Sequence, residues 1–248
     1  MVLGHRHDVV SYFFGRSLEV FPMSKMFQAW LAMGGVGLLV LAGCDAPRSA
    51  LWGDRTQGTV SDHSAAQPLE KPQNTARADV NNLYRGAGEQ IVTFGDSITA
   101  GAGVGPQAAY PSLLSQSLDL PVVNGGRGGD TTATALDRLQ DVIAANPWLV
   151  IVGLGGNDFL RQVPIAQTEQ NLREIVTRLQ QQGAIVVILG MNVYPFNGDY
   201  EAMYQRVASE TQAHLIPGVL EGLNDTRYLY DQVHPNQAGH RILADRRG

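Results

Sequence analysis

Residues 148–154, WLVIVGL, form an uninterrupted apolar run, and the fold is decided by how that run is read. A strand with one face in water alternates apolar and polar residues, whereas a strand covered by helices on both faces does not. A second run of the same kind spans 184–189 (AIVVIL), and shorter ones span 90–94 (QIVTF), 121–123 (PVV) and 214–216 (HLI). Helical periods lie between them. Residues 131–145 place Ala135, Leu136, Leu139, Val142 and Ile143 on one face, with Asp130 or Thr131 as N-cap. Residues 168–182 repeat the period through Leu172, Ile175, Val176 and Leu179 until Gly183 stops it, and 200–213 is a further helix. Alternating strands and helices predict an α/β fold with a parallel central sheet, helices on both faces and ligands at the carboxyl ends of the strands.

The rest of the chain bounds its class. It has 248 residues, 44% hydrophobic and 17% charged, which is a globular composition. A net charge of −5 with scattered basic residues, the densest cluster being Arg246 and Arg247, argues against a nucleic-acid partner. One cysteine, Cys44, excludes an intrachain disulfide and a Cys-rich zinc site. Residues 29–42 (AWLAMGGVGLLVLA) are apolar or glycine and follow Lys25. The run is shorter than the ~20 residues of a membrane-spanning helix and suits the core of a signal peptide. It ends in Leu41-Ala42-Gly43-Cys44, which resembles the lipobox of bacterial lipoproteins. That resemblance implies lipidation at Cys44 and a domain held to the inner or outer membrane on the periplasmic side of the cell envelope.

The expected organisation follows. Residues 1–22 are an extension unlike a signal-peptide start, with translation expected from Met23; 23–44 are the lipoprotein signal peptide. Residues 45–88, rich in Ala, Gln, Ser, Asp, Thr and Pro, cannot bury enough surface to offset their ordering entropy and read as a flexible linker. Residues 89–248 are the folded domain. Its last helix starts after Asn236 with Ala238, Ile242 and Leu243 as apolar contacts, and only residues 237–248 remain to build it, so thin cover of the sheet is expected there.

The strand ends carry the chemistry. The first runs into Gly95-Asp96-Ser97-Ile98-Thr99, and a serine after a strand and entering a helix is placed for attack, although most such serines are ordinary helix caps. Gly101-Ala102-Gly103-Val104-Gly105 could suggest a dinucleotide loop, but Pro106 stands where the last glycine belongs. The second strand leads to Gly125-Gly126-Arg127-Gly128-Gly129-Asp130, whose glycines can present backbone N–H groups to a ligand. The third leads to Gly155-Gly156-Asn157-Asp158, where the Asn157 amide could donate to an oxyanion or simply shape a turn. Last comes Asp231-Gln232-Val233-His234-Pro235-Asn236, in which an aspartate three residues before a histidine can fix its tautomer.

Taken together and in order, these segments resemble the four blocks of the GDSL, or SGNH, hydrolase family, over about residues 90–247. The resemblance implies a three-layer α/β/α, flavodoxin-like fold. It implies Ser97 as nucleophile, with His234 and Asp231 completing the triad. The oxyanion hole would be the Ser97 and Gly129 N–H groups and the Asn157 amide. Residues 190–200 (GMNVYPFNGDY) and the helical Asn171-Leu172 are similar to the branch of bacterial arylesterases and periplasmic acyl-CoA thioesterase/lysophospholipases. In that branch the loop shapes the acyl pocket, which makes Met191, Val193, Tyr194, Pro195 and Phe196 candidate lining residues. The expected activity is hydrolysis of acyl esters, and of thioesters, by a monomer that needs no metal or cofactor. Two alternatives stand beside it: a carbohydrate O-deacetylase of the same family, and a surface lipoprotein that binds an acylated ligand without catalysis.

Overall fold

The computed structural model describes Val9, residues 88–192 and residues 197–246. The expected signal peptide over 23–44 with Cys44, the expected linker over 45–88 up to residue 87, the expected extension before Met23 apart from Val9, and Val193, Tyr194, Pro195 and Phe196 lie outside the described residues. Among the described residues no helix is long and apolar enough to cross a membrane.

Five strands, β1 (Gln90–Gly95), β2 (Val122–Gly126), β3 (Pro147–Gly153), β4 (Ile185–Leu189) and β5 (His214–Ile216), form one parallel sheet. Their order is β2-β1-β3-β4-β5. Every residue of β3 and β4 is buried, as the unbroken apolar runs require. The chain winds outward from β1 to β2, then crosses back to β3 on the other side of β1. The reversal opens a crevice between the carboxyl ends of β1 and β3, the position where open α/β sheets bind ligands.

Helices complete a three-layer α/β/α sandwich. They are α1 (Ser97–Ala100), α2 (Tyr110–Leu118), α3 (Thr132–Asp137), α4 (Leu139–Ala144), α5 (Gly156–Leu160), α6 (Ile165–Gln181), α7 (Asn197–Thr211) and α8 (Gln237–Ala244). One packing group is α2 with α8; the other is α6 with α3 and α7. The α6 face is the predicted one. Leu172, Ile175, Val176 and Leu179 are all at 0% exposure, each stabilising the fold by about 1.5–3 kcal/mol relative to an exposed side chain.

Three expectations change. The single helix over 131–145 is two, broken at Arg138, whose φ of −113° and ψ of 11° leave the helical region. Its guanidinium is drawn away to bond Asp130 Oδ2 at 2.6 Å and the Gly95 carbonyl at 3.0 Å, and it lies 4.5 Å above the Phe94 ring. Of the two expected N-caps, Thr131 is the one used, in a reciprocal capping box with Thr134. The helices expected from 168 and 200 begin earlier, at Ile165 after the extended Pro164, and at Asn197. Helix α2 was not expected at all. Ala109, its N-cap, offers no side-chain acceptor, and the Tyr110 N–H donates instead to His240 Nδ1 on α8, at 3.2 Å.

Candidate active site

Three strand ends meet in register: Gly95 pairs with Gly126 on one side and with Gly153 on the other. Helix α1 folds back across them at once. A Cβ at Gly126 would overlap the backbone nitrogen of Ala100, and one at Gly95 would overlap the Thr99 hydroxyl, so only glycine lets α1 lie this close. Asp96, rather than the serine, caps α1: its Oδ1 accepts the Ile98 N–H at 3.0 Å. Ser97 is thereby left as the first helical residue with its hydroxyl free of capping duty.

That hydroxyl lies 2.9 Å from His234 Nε2, and His234 Nδ1 lies 2.7 Å from Asp231 Oδ2. The loop that delivers the histidine is folded by the same aspartate, whose Oδ1 accepts the N–H groups of Val233 and His234, both at 2.8 Å. Asn236 finishes the loop. Its N–H donates to the Tyr228 carbonyl, its side-chain amide donates to the Arg227 carbonyl, and its Oδ1 caps α8.

Asn157 stands on α5 after β3. Its Nδ2 donates to the Asp130 carbonyl at 3.0 Å, and its second hydrogen has only a long contact, 3.5 Å, with Asp96 Oδ2. Gly155, at φ +115°, makes the turn into α5 beside the Tyr204 hydroxyl, which donates to the Leu154 carbonyl at 2.7 Å. Gly129, at φ +79°, precedes the Asp130 carbonyl and is held through its own carbonyl by Arg161 at 2.9 Å. No acceptor is found among the described residues for the backbone N–H of either Ser97 or Gly129.

A cleft of 460 Å³ opens over this arrangement. Ser97, His234 and Asn157 line it together with apolar Leu160, Met191, Leu220, Leu223, Leu229 and Val233, and with polar Asn192, Asn224, Gln232 and Glu221. Gly129 is not on its wall. Of the predicted pocket residues, buried Met191 is on the wall, and Val193, Tyr194, Pro195 and Phe196 are outside the described residues.

Residues 93–242 match the model of the GDSL-like lipase/acylhydrolase family. The chain belongs to that family. As a GDSL-like acylhydrolase it is a carboxylic ester hydrolase. It is 34% identical over 172 residues to esterase TesA of Pseudomonas aeruginosa, covering 64% of this chain and 86% of that one. It is 31% identical over 169 residues to thioesterase 1/protease 1/lysophospholipase L1 of Escherichia coli, covering 64% of this chain and 81% of the other. The crystal structure of TesA superposes with a TM-score of 0.61 at 32% identity, covering 63% of this chain and 94% of that one.

The charges of this hydrolase's site are set by its surroundings. Asp231 is pulled down to about 2 by the Val233 N–H it accepts, then by the His234 ring and the His234 N–H. It therefore stays ionised beside the imidazole. Buried Asp96 goes the other way: loss of solvent pushes it up to about 6, against the opposing pull of the Ile98 N–H and His234. His240, wholly buried on α8, is held down at about 4 by desolvation and then by His234, so it is neutral and its Nδ1 stays available to Tyr110.

Sequence reasoning missed Asp96, Arg138, Asn236 and most of the cleft wall. An aspartate directly before a short helix is itself an N-cap signal, so Asp96 could have been found. Leu220, Leu223 and Leu229 lie outside the regular helices and strands, and no local pattern marks them.

Proposed function

We propose that this hydrolase cleaves acyl esters through an acyl-enzyme on Ser97. His234 Nε2 takes the Ser97 proton as Oγ attacks the ester carbonyl, and ionised Asp231 stabilises the imidazolium. The N–H groups of Ser97 and Gly129, and the Asn157 hydrogen not committed to Asp130, hold the oxyanion. The tetrahedral adduct collapses, His234 returns its proton to the departing alcohol, and water activated by His234 then releases the acid. The observation that carries this reading is the line from Ser97 Oγ to His234 to Asp231, at 2.9 and 2.7 Å, opening onto a cleft.

The cleft's leucines, with Met191 and Val233, favour an acyl chain over the acetyl group of a glycan, each buried CH₂ adding about 0.8 kcal/mol. The name of the Escherichia coli relative includes thioesterase and lysophospholipase. We extend both substrate classes, thioesters that release a thiol and lysophospholipids that release a glycerophospho-alcohol, to this chain. A p-nitrophenyl ester series from acetate to decanoate, with Ser97→Ala as control, tests the reading. The expected kcat/KM rises with chain length until the cleft is filled and vanishes in the control. A series that is best at acetate points instead to the deacetylase. Localisation belongs to the same proposal: a lipidated Cys44 at the mature N-terminus, on the periplasmic side of the inner or outer membrane. Mass spectrometry finding residues 23–43 retained and Cys44 unmodified would exclude it.

A further inference from the structure

Helix α5 contributes more than Asn157 to the site. Asp158, at 0% exposure, accepts the Thr132 N–H at Oδ2 (2.8 Å), the Thr132 hydroxyl at Oδ1 (2.6 Å) and, more distantly, the Thr168 hydroxyl at 3.4 Å. Thr132 is the first residue of α3, so Asp158 supplies from another element the acceptor that an amide in a helix's first turn lacks. The Thr132 oxygen in turn accepts from Asn171 Nδ2 at 3.1 Å, and Asn171 Oδ1 accepts from Gln167 at 2.8 Å. Each donor and acceptor in this chain has one consistent role, which fixes the direction of every bond in it.

Neighbouring bonds join the same two segments. Asn157 donates to the Asp130 carbonyl and Arg161 to the Gly129 carbonyl. Residues 157 and 158 on α5, with Arg161 as its C-cap, thus clamp residues 129–132. Those segments carry the two oxyanion donors that come from outside α1. The Asn157 and Arg161 bonds are reachable from the surface, whereas the Asp158–Thr132 pair is fully buried, where hydrogen bonds are least exposed to competition from water.

We propose that Asp158 is a positioning residue for the oxyanion hole. Through Thr132 it sets the separation between the Gly129 N–H and the Asn157 amide. It touches no reacting atom and acts only by holding these donors where charge develops, and the inference rests on the reading of Gly129 and Asn157 as oxyanion donors. A small misplacement of such donors costs rate while leaving substrate binding largely intact.

The test is a cycle on the full chain using kcat and KM for a p-nitrophenyl ester. Thr132→Val keeps shape and the backbone N–H bond but removes the hydroxyl. It is expected to lower kcat roughly tenfold or more with KM within about twofold, and Thr132→Ser is expected to restore the rate. In an Asn157→Ala background, where one positioned donor is already gone, Thr132→Val should cost much less than in the parent. Equal factors in both backgrounds, or no loss in the parent, overturn the proposal. An Asn157→Ala enzyme as fast as the parent overturns the oxyanion reading itself, and the proposal with it. If Thr132→Val does not fold, Asp158→Asn, which keeps size and one acceptor, replaces it in the same cycle.

Discussion

Asp231 grips His234 with both carboxylate oxygens: Oδ1 accepts the His234 backbone N–H at 2.8 Å, and Oδ2 sits 2.7 Å from the ring Nδ1. One oxygen folds the loop and the other orients the imidazole, so the two tasks can be separated by substitution. Asp231→Asn keeps an acceptor for the backbone amides but turns an N–H toward Nδ1 and imposes the wrong tautomer. The expected result is an unchanged melting temperature and a kcat lower by roughly 10⁴-fold. Asp231→Ala should lose both loop and rate. Thermal melts alongside steady-state kinetics distinguish the two variants.

Asp96 gives the fold a pH dependence of a definite sign. Its carboxyl stands at about 6 in the folded chain, against an ordinary 3.8, because burial disfavours its charge. The folded state therefore holds this proton more tightly than the unfolded chain does. The stability it contributes is complete below the ordinary value and is lost as pH rises through about 6. Asp96→Asn removes that loss while keeping the Ile98 contact. Its melting temperature should exceed the parent's by several degrees near about pH 7.5 and by almost nothing near about pH 4. A constant difference across that range would show that Asp96 is not the titrating group.

Much of this was legible in the sequence, for physical reasons that vary from element to element. The runs at 148–154 and 184–189 announced buried parallel strands because burial on both faces suppresses alternation. Asp231 and His234 were legible because their contact is local, three residues apart on one loop. Tertiary partners were not. Helix α2 takes its N-terminal acceptor from His240, 130 residues away, and Asp158 finds Thr132 across 26. The break at Arg138 came from bonds to Asp130 and Gly95 that outweigh a helical period. The cleft wall around Leu220 is held from distant segments, by Asn192 Oδ1 and the Gly190 carbonyl accepting the Leu220 and Val219 N–H groups.

Gly155 has no tolerated replacement. At φ +115° any Cβ is strained, and here it would also strike the Tyr204 hydroxyl. Gly155→Ala should cost about 1–3 kcal/mol from backbone strain alone, with more from displacing Tyr204. It should also lower kcat by shifting α5 and Asn157. Chemical denaturation and kinetics on the same preparation would reveal both losses; an alanine variant as stable as the parent would refute the strain argument.

Leu160 lines the cleft yet is 54% exposed, so its truncation separates binding from stability. Leu160→Ala should leave stability within about 0.5 kcal/mol. It should raise KM for octanoyl esters about three- to tenfold while leaving acetate unaffected. A uniform rise across chain lengths would place the acyl chain elsewhere.

In the proposed reaction Ser97, activated by His234 across 2.9 Å, is the nucleophile. Active-site titration with a fluorophosphonate, followed by peptide mapping, measures this directly. The expected result is one label per chain on the peptide containing Ser97, esterase activity lost in proportion to labelling, and very slow labelling in His234→Ala. Activity that survives full labelling of Ser97, or folded parent protein that takes up no label there, would contradict it.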